Sequence, residues 1–120
     1  MIFRGQRHKK TYEKICRKKG LSNRYLASTY LLSADTVLWN KSVDAVDQRR
    51  IDFEKILLSD MSIEAYTFYA VAKDIYTGSE HLSMSDYTDH TLLTPLTYKI
   101  IRQAIELARR GEYRQNRYKQ

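Results

Sequence analysis

Apolar residues along this chain recur three and four positions apart, and nowhere do they alternate with polar ones for long enough to suggest a strand. The first helix is expected from about Gln6 to Lys19. Its inner stripe would be His8, Tyr12, Ile15 and Cys16, at i, i+4, i+7 and i+8, with Gly20 as a left-handed terminator. Ser22 suits the N-cap of a second helix carrying Tyr25, Leu26, Tyr30 and Leu32. Ser33-Ala34-Asp35 interrupts it, and Asp35 caps a third helix carrying Val37, Leu38, Trp39 and Val43. Residues 44–50 are polar and read as a connection. A short helix from about Asp52 to Ser59 is expected to bury Phe53, Ile56 and Leu57.

The clearest stripe comes next. Ser62 caps a helix in which Ala65, Phe68, Tyr69, Ala72, Ile75 and Tyr76 face one way, and Gly78 closes it. Residues 79–94 are looser, with a single turn after Ser83 or Ser85 around Tyr87. Thr94-Pro95 joins a capping hydroxyl to a proline at the first helical position. That helix should bury Leu96, Ile100, Ile101, Ala104, Leu107 and Ala108, and end at Gly111. The expected architecture is all-α: a small single-domain bundle of five or six helices over residues 1–111, then a basic Tyr/Arg tail over residues 112–120.

Composition narrows the setting. A chain of 120 residues is one domain by size, large enough for one core without a staple. Its one cysteine, Cys16, excludes an internal disulfide framework and suits a reducing compartment. No apolar run reaches the roughly 18 residues of a membrane span, and residues 1–10 lack the apolar middle of a secretory signal. A cytoplasmic protein is expected.

Charge then changes the picture. The net +7 is unevenly spread: residues 1–24 hold nine Lys/Arg against one acid, residues 25–98 hold five against eleven, and residues 99–120 hold seven against two. Two basic ends therefore flank an acidic middle. They either present a positive face to a partner or fold back and neutralise the middle.

Candidate chemistry is sparse. The four glycines are scattered singly, so no phosphate-cradling loop is present. Cys16 has cations around it, but His8 would lie about 12 Å away along the helix, too far to take its proton. Cys16 reads as a small inner-face side chain. Glu80, His81, Asp86, Asp89 and His90 contain possible metal-ligand types, but their spacing fits no helical ligand pair and reads as surface loop. A metal-assisted enzyme using His81 and His90 is the weakest reading. No catalytic residue, metal, cofactor or small-molecule substrate is expected. The Leu26–Lys41 helix pair resembles a helix-turn-helix in spacing, but Leu31 replaces the usual glycine and Asp35 opens the reading helix. It reads as an ordinary hairpin.

The two ends carry the functional expectation. Tyr113 and Tyr118 are interleaved with Arg109, Arg110, Arg114 and Arg117, and the first helix adds Arg7, Lys10, Lys14 and Lys18. Arginine and tyrosine bring donors and contact area to protein interfaces, and the same pair holds single strands by phosphate contact and stacking. Its ten tyrosines include Tyr66, Tyr69 and Tyr76 on or beside the core stripe.

Tyr30-Leu31-Leu32-Ser33-Ala34-Asp35, Ile51-Asp52-Phe53 with Ile56-Leu57, Ala72-Lys73-Asp74-Ile75-Tyr76 with Gly78, and Ala104-Ile105 carry a resemblance. Over residues 2–110 the chain resembles a family of short uncharacterised proteins of Gram-positive bacteria, their phages and mobile elements. The resemblance implies a small helical domain and no catalytic residues; the tail after Gly111 departs from it. Small domains of such elements that lack active sites often act by occupying a host protein's surface, inhibitors of CRISPR nucleases among them. The leading expectation is thus a non-enzymatic binding protein for a partner with an acidic or nucleic-acid-accommodating surface, such as a host defence nuclease. The alternative is direct, largely nonspecific DNA or RNA binding, whose affinity would fall steeply with salt.

Overall fold

Four helices begin where a side-chain oxygen holds a free amide. Ser22 Oγ accepts from the Tyr25 N–H at 3.1 Å, Asp35 Oδ1 from Leu38 at 2.9 Å, Ser62 Oγ from Ala65 at 3.0 Å and Thr94 Oγ1 from Thr97 at 3.2 Å. These caps open α2 (Asn23–Leu32), α3 (Thr36–Ser42), α4 (Ile63–Thr77) and α5 (Pro95–Arg109). The first helix, α1 (Gln6–Cys16), starts after Gly5 without a side-chain cap. The computed structural model describes residues 1–78 and 93–109, and these form an all-helical bundle of five α-helices with no strand. The turn expected around Tyr87, the Gly111 terminator and the tail lie outside the described residues.

The centre of the bundle is α2. Every residue from Tyr25 to Ala34 is buried, and α2 packs most broadly on α4 and α5. A helix covered on all sides must satisfy its own polar groups. Ser28 Oγ donates across to the Ala72 carbonyl of α4 at 3.0 Å, while Thr29 and Ser33 bond back to Tyr25 and Thr29 carbonyls at 2.9 and 2.6 Å. These short hydroxyl side chains can therefore occupy core positions.

Contacts fix the directions. The start of α1 meets the end of α2 through His8 and Tyr30, so the two run antiparallel. The first turn of α4 reaches the α2–α3 corner through Arg4, which lies 3.3 Å from Asp35 and 3.8 Å from Glu64. At the other end, Gly78 sits against Arg24, which makes α4 antiparallel to α2 as well. Thr97, early in α5, donates to the Glu64 carboxylate, so α5 begins beside the start of α4.

Residues 1–4 form a strap over this assembly. The Ile2 N–H donates to Gln103 Oε1 at 2.6 Å, its carbonyl accepts from the Tyr30 hydroxyl, and Phe3 joins an aromatic cluster with His8, Tyr12 and Tyr30.

Several expectations need correction. The first helix ends at Cys16, not Lys19, because no apolar side chain beyond Cys16 extends its inner face; Gly20, at φ +79°, sits in the following bend. The helix over residues 52–59 is a single 3-10 turn, Phe53–Lys55, opened by Asp52 accepting from the Glu54 N–H. Ile56 is already extended, so Phe53 and Ile56 are buried while Leu57 is 68% exposed. Within seven-residue α3, Leu38 and Ser42 turn inward one turn apart, which leaves Trp39 half-buried and Val37 and Val43 exposed. Leu96 is exposed, and Thr97 takes the inner position because its hydroxyl finds Glu64. Tyr25 and Tyr30 are full core members, whereas Tyr66 is exposed.

Candidate interaction surface

The basic N-terminal segment divides in two. Its first two cations are used within the fold. Arg4 pairs with Asp35 and Glu64, donates to the Ala34 carbonyl at 3.4 Å and lies 5.9 Å from the centre of the Phe68 ring. Arg7 donates to the Ser33 carbonyl at 3.0 Å, satisfying the end of α2. From Lys9 onward the pattern changes. Lys9, Lys10, Lys14, Arg17, Lys18 and Lys19 are all exposed, and none forms an ion pair among the described residues. Folding back and facing outward thus both occur, split between Arg7 and Lys9.

His8 explains why α1 turns this way. Its Nδ1 accepts from the Arg4 N–H at 3.0 Å and its Nε2 lies 2.7 Å from the Tyr30 carbonyl, an arrangement that calls for a proton on Nε2. Burial, opposed by the Tyr30 carbonyl and aided by Arg7 and Arg4, lowers its pKa to about 4. With both nitrogens occupied, His8 has no lone pair left to serve Cys16 as a base. Docking this inner face leaves Lys10 and Lys14 on the opposite side.

Beside them lies a groove of about 450 Å³, within the range of ligand sites. One wall is Thr11, Lys14 and Lys18 from α1 and the bend after it. Ile15, Tyr25, Trp39, Val43 and Val46 give it apolar and aromatic lining, and the segment holding Asp47 and Gln48 makes the far wall. The far wall is rigidly built: Val46 bridges to Ile51, the Asp47 N–H donates to the Arg50 carbonyl at 2.8 Å, and the Asp47 carbonyl accepts from the Tyr25 hydroxyl. Burial, then Asp47 and then Tyr76, raises the Tyr25 pKa and keeps that hydroxyl a donor. A second hollow of about 360 Å³ adjoins it, lined mainly by Asp44, Asp47, Asp52, Arg50 and Lys55.

Of the residues expected to act, Lys14 and Lys18 enter the groove wall, Lys10 lies one turn before Lys14, and Arg7 is engaged with Ser33 while remaining exposed. Arg109 is exposed at the end of α5; Arg110, Tyr113, Arg114, Arg117 and Tyr118 lie outside the described residues, as do Glu80, His81, Asp86, Asp89 and His90. Trp39, Val43 and Val46 escaped the sequence reading as site residues. One signal was available: a seven-residue helix cannot turn Val37, Leu38 and Trp39 all inward. The exposed side of α3 carries Thr36, Val37 and Asn40, with Lys41 half-buried in its last turn.

Among the described residues, no group of three His, Cys, Asp or Glu is arranged to hold a metal ion, and no helix is long and apolar enough to cross a membrane. No protein-family model matches the chain, and no curated protein or solved structure matches it.

Proposed function

We propose that this helical bundle is a non-enzymatic binding module that presents the outer side of α1 and the bend after it to a macromolecular partner with an acidic surface. One observation carries the reading: six cations between Lys9 and Lys19 face solvent without ion-pair partners among the described residues, although the same fold uses Arg4 and Arg7 internally. Exposed charges of one sign add to a field that steers an oppositely charged partner and sets its orientation. Arg109 and the Tyr/Arg tail beyond it belong to the same proposal, as does the finer reading of a host defence nuclease as the partner. That finer reading rests on the family resemblance.

The test is affinity purification from the native cells with and without nuclease, using the parent chain and Lys10→Glu/Arg17→Glu/Lys19→Glu. None of these three residues lines the groove. A nuclease-resistant protein held by the parent and lost by the variant supports the proposal. Equal retention by the variant overturns it. A nuclease-sensitive capture, with log affinity falling against log salt at a slope of about −4 to −5, transfers the function to nucleic-acid binding.

A further inference from the structure

We infer that the groove between α1 and α3 binds a short peptide segment of the partner in which an acidic side chain stands next to a leucine or an aromatic one. This deepens the proposed function and rests on it. The near wall supplies two ammonium groups, Lys14 in the last turn of α1 and Lys18 in the bend after it, both without ion-pair partners among the described residues. A carboxylate placed between them makes charge-assisted hydrogen bonds to both. In the same groove, Ile15, Trp39 and Val43 offer an apolar floor in which Val43 is 48% exposed and Trp39 half-buried. An apolar side chain beside the carboxylate covers that floor, so charge and apolar surface are matched by adjacent residues of one segment.

The far wall argues against a nucleic-acid strand here. Asp47 lines the groove together with the lysines, and in the adjoining hollow three carboxylates, Asp44, Asp47 and Asp52, outnumber the cations Arg50 and Lys55, so phosphates continuing from one to the other would meet a net negative lining. A peptide brings one anion to the lysine wall and presents only neutral backbone to the other. Gln48, which also lines the groove, carries an amide of the kind that bonds such a backbone.

Trp39 is the only tryptophan in the chain, so its fluorescence reports the groove alone. The probe is a library of short random peptides selected against the whole protein. The enriched peptides are expected to pair Asp or Glu with a neighbouring Leu, Phe or Trp. Those without tryptophan are expected to shift Trp39 emission on binding and to bind about tenfold more weakly to Lys14→Ala/Lys18→Ala and to Val43→Glu. Val43 is exposed, so its replacement leaves the thermal midpoint in place, and that midpoint is recorded for every variant. Absence of enrichment, enrichment of peptides without an acid, or affinity unaltered by Val43→Glu overturns the inference. The two proposals fail separately. A partner captured equally by parent and Val43→Glu but lost by Lys10→Glu/Arg17→Glu/Lys19→Glu removes the groove and leaves the basic surface.

Discussion

His8 and Tyr30 are joined twice: their rings stack with centroids 5.0 Å apart, and the imidazole Nε2–H donates to the Tyr30 carbonyl at 2.7 Å. The neutral imidazole serves as donor and acceptor at once, and a proton on Nδ1 would break the bond from the Arg4 N–H. Its pKa is about 4 in the folded chain against 6.5 when unfolded. The unfolded chain thus binds the proton first as pH falls. The stability that His8 contributes is complete above pH 6.5 and is lost progressively down to about 4, by about 3 kcal/mol in all. Urea unfolding at a series of pH values should show this loss in the parent, and His8→Gln should lack the part between 4 and 6.5. Parallel profiles would contradict it.

Asp35 does two tasks with two oxygens: Oδ1 caps α3 through the Leu38 N–H, and Oδ2 faces Arg4. Asp35→Ala is expected to cost about 1–2 kcal/mol, most of it from the lost cap. Asp35→Asn keeps the cap and forfeits a partly exposed ion pair, so its cost should stay below about 1 kcal/mol. A double-mutant cycle with Arg4→Ala, read by urea unfolding, isolates the pair; zero coupling would show that Arg4 works through Glu64 and Phe68 alone.

Gly78 ends α4 at φ +81°, and a Cβ built there would stand 2.7 Å from an Arg24 guanidinium nitrogen. The conformation costs any L side chain, whereas the end of an arginine can move aside. Gly78→Ala should therefore lose about 1–2 kcal/mol in the parent and still about 1 kcal/mol in an Arg24→Ala background. Disappearance of the cost in that background would assign it to contact rather than to φ.

Ile56 and Leu57 are neighbours with opposite fates. Ile56→Ala should cost about 2–4 kcal/mol, and Leu57→Ala less than about 0.5 kcal/mol. A helix over residues 52–59 would make both substitutions costly, so thermal unfolding of the pair separates the two descriptions.

Helix ends were legible where one side chain suffices to make them: Ser22, Asp35, Ser62 and Thr94 cap as expected, and Gly78 terminates. The segment after Asp52 was not legible, because Phe53 and Ile56 are three apart and fit a 3-10 turn as well as a helix. Burial of Ser28, Thr29 and Ser33 was hidden as well. Their residue types read as polar until the carbonyls that accept their protons are in place. Charge arithmetic had the same limit for function. It counted Arg4 and Arg7 with the lysines that follow, although only the tertiary fold shows which cations meet a carboxylate or a helix end. The groove was least legible, since Lys14 and Trp39 come together across two intervening turns of chain.

The position of α2 also bears on how the chain reaches this state. A helix enclosed on every side is emitted from the ribosome long before α4 and α5, the two helices that cover most of it. The strap that crosses Tyr30 waits for α5 as well, since Ile2 bonds to Gln103, a residue 101 positions later. Little of the core can therefore close until α5 is synthesised, and folding is a late, concerted event. Once closed, the amides of α2 can exchange with solvent only when the whole bundle opens.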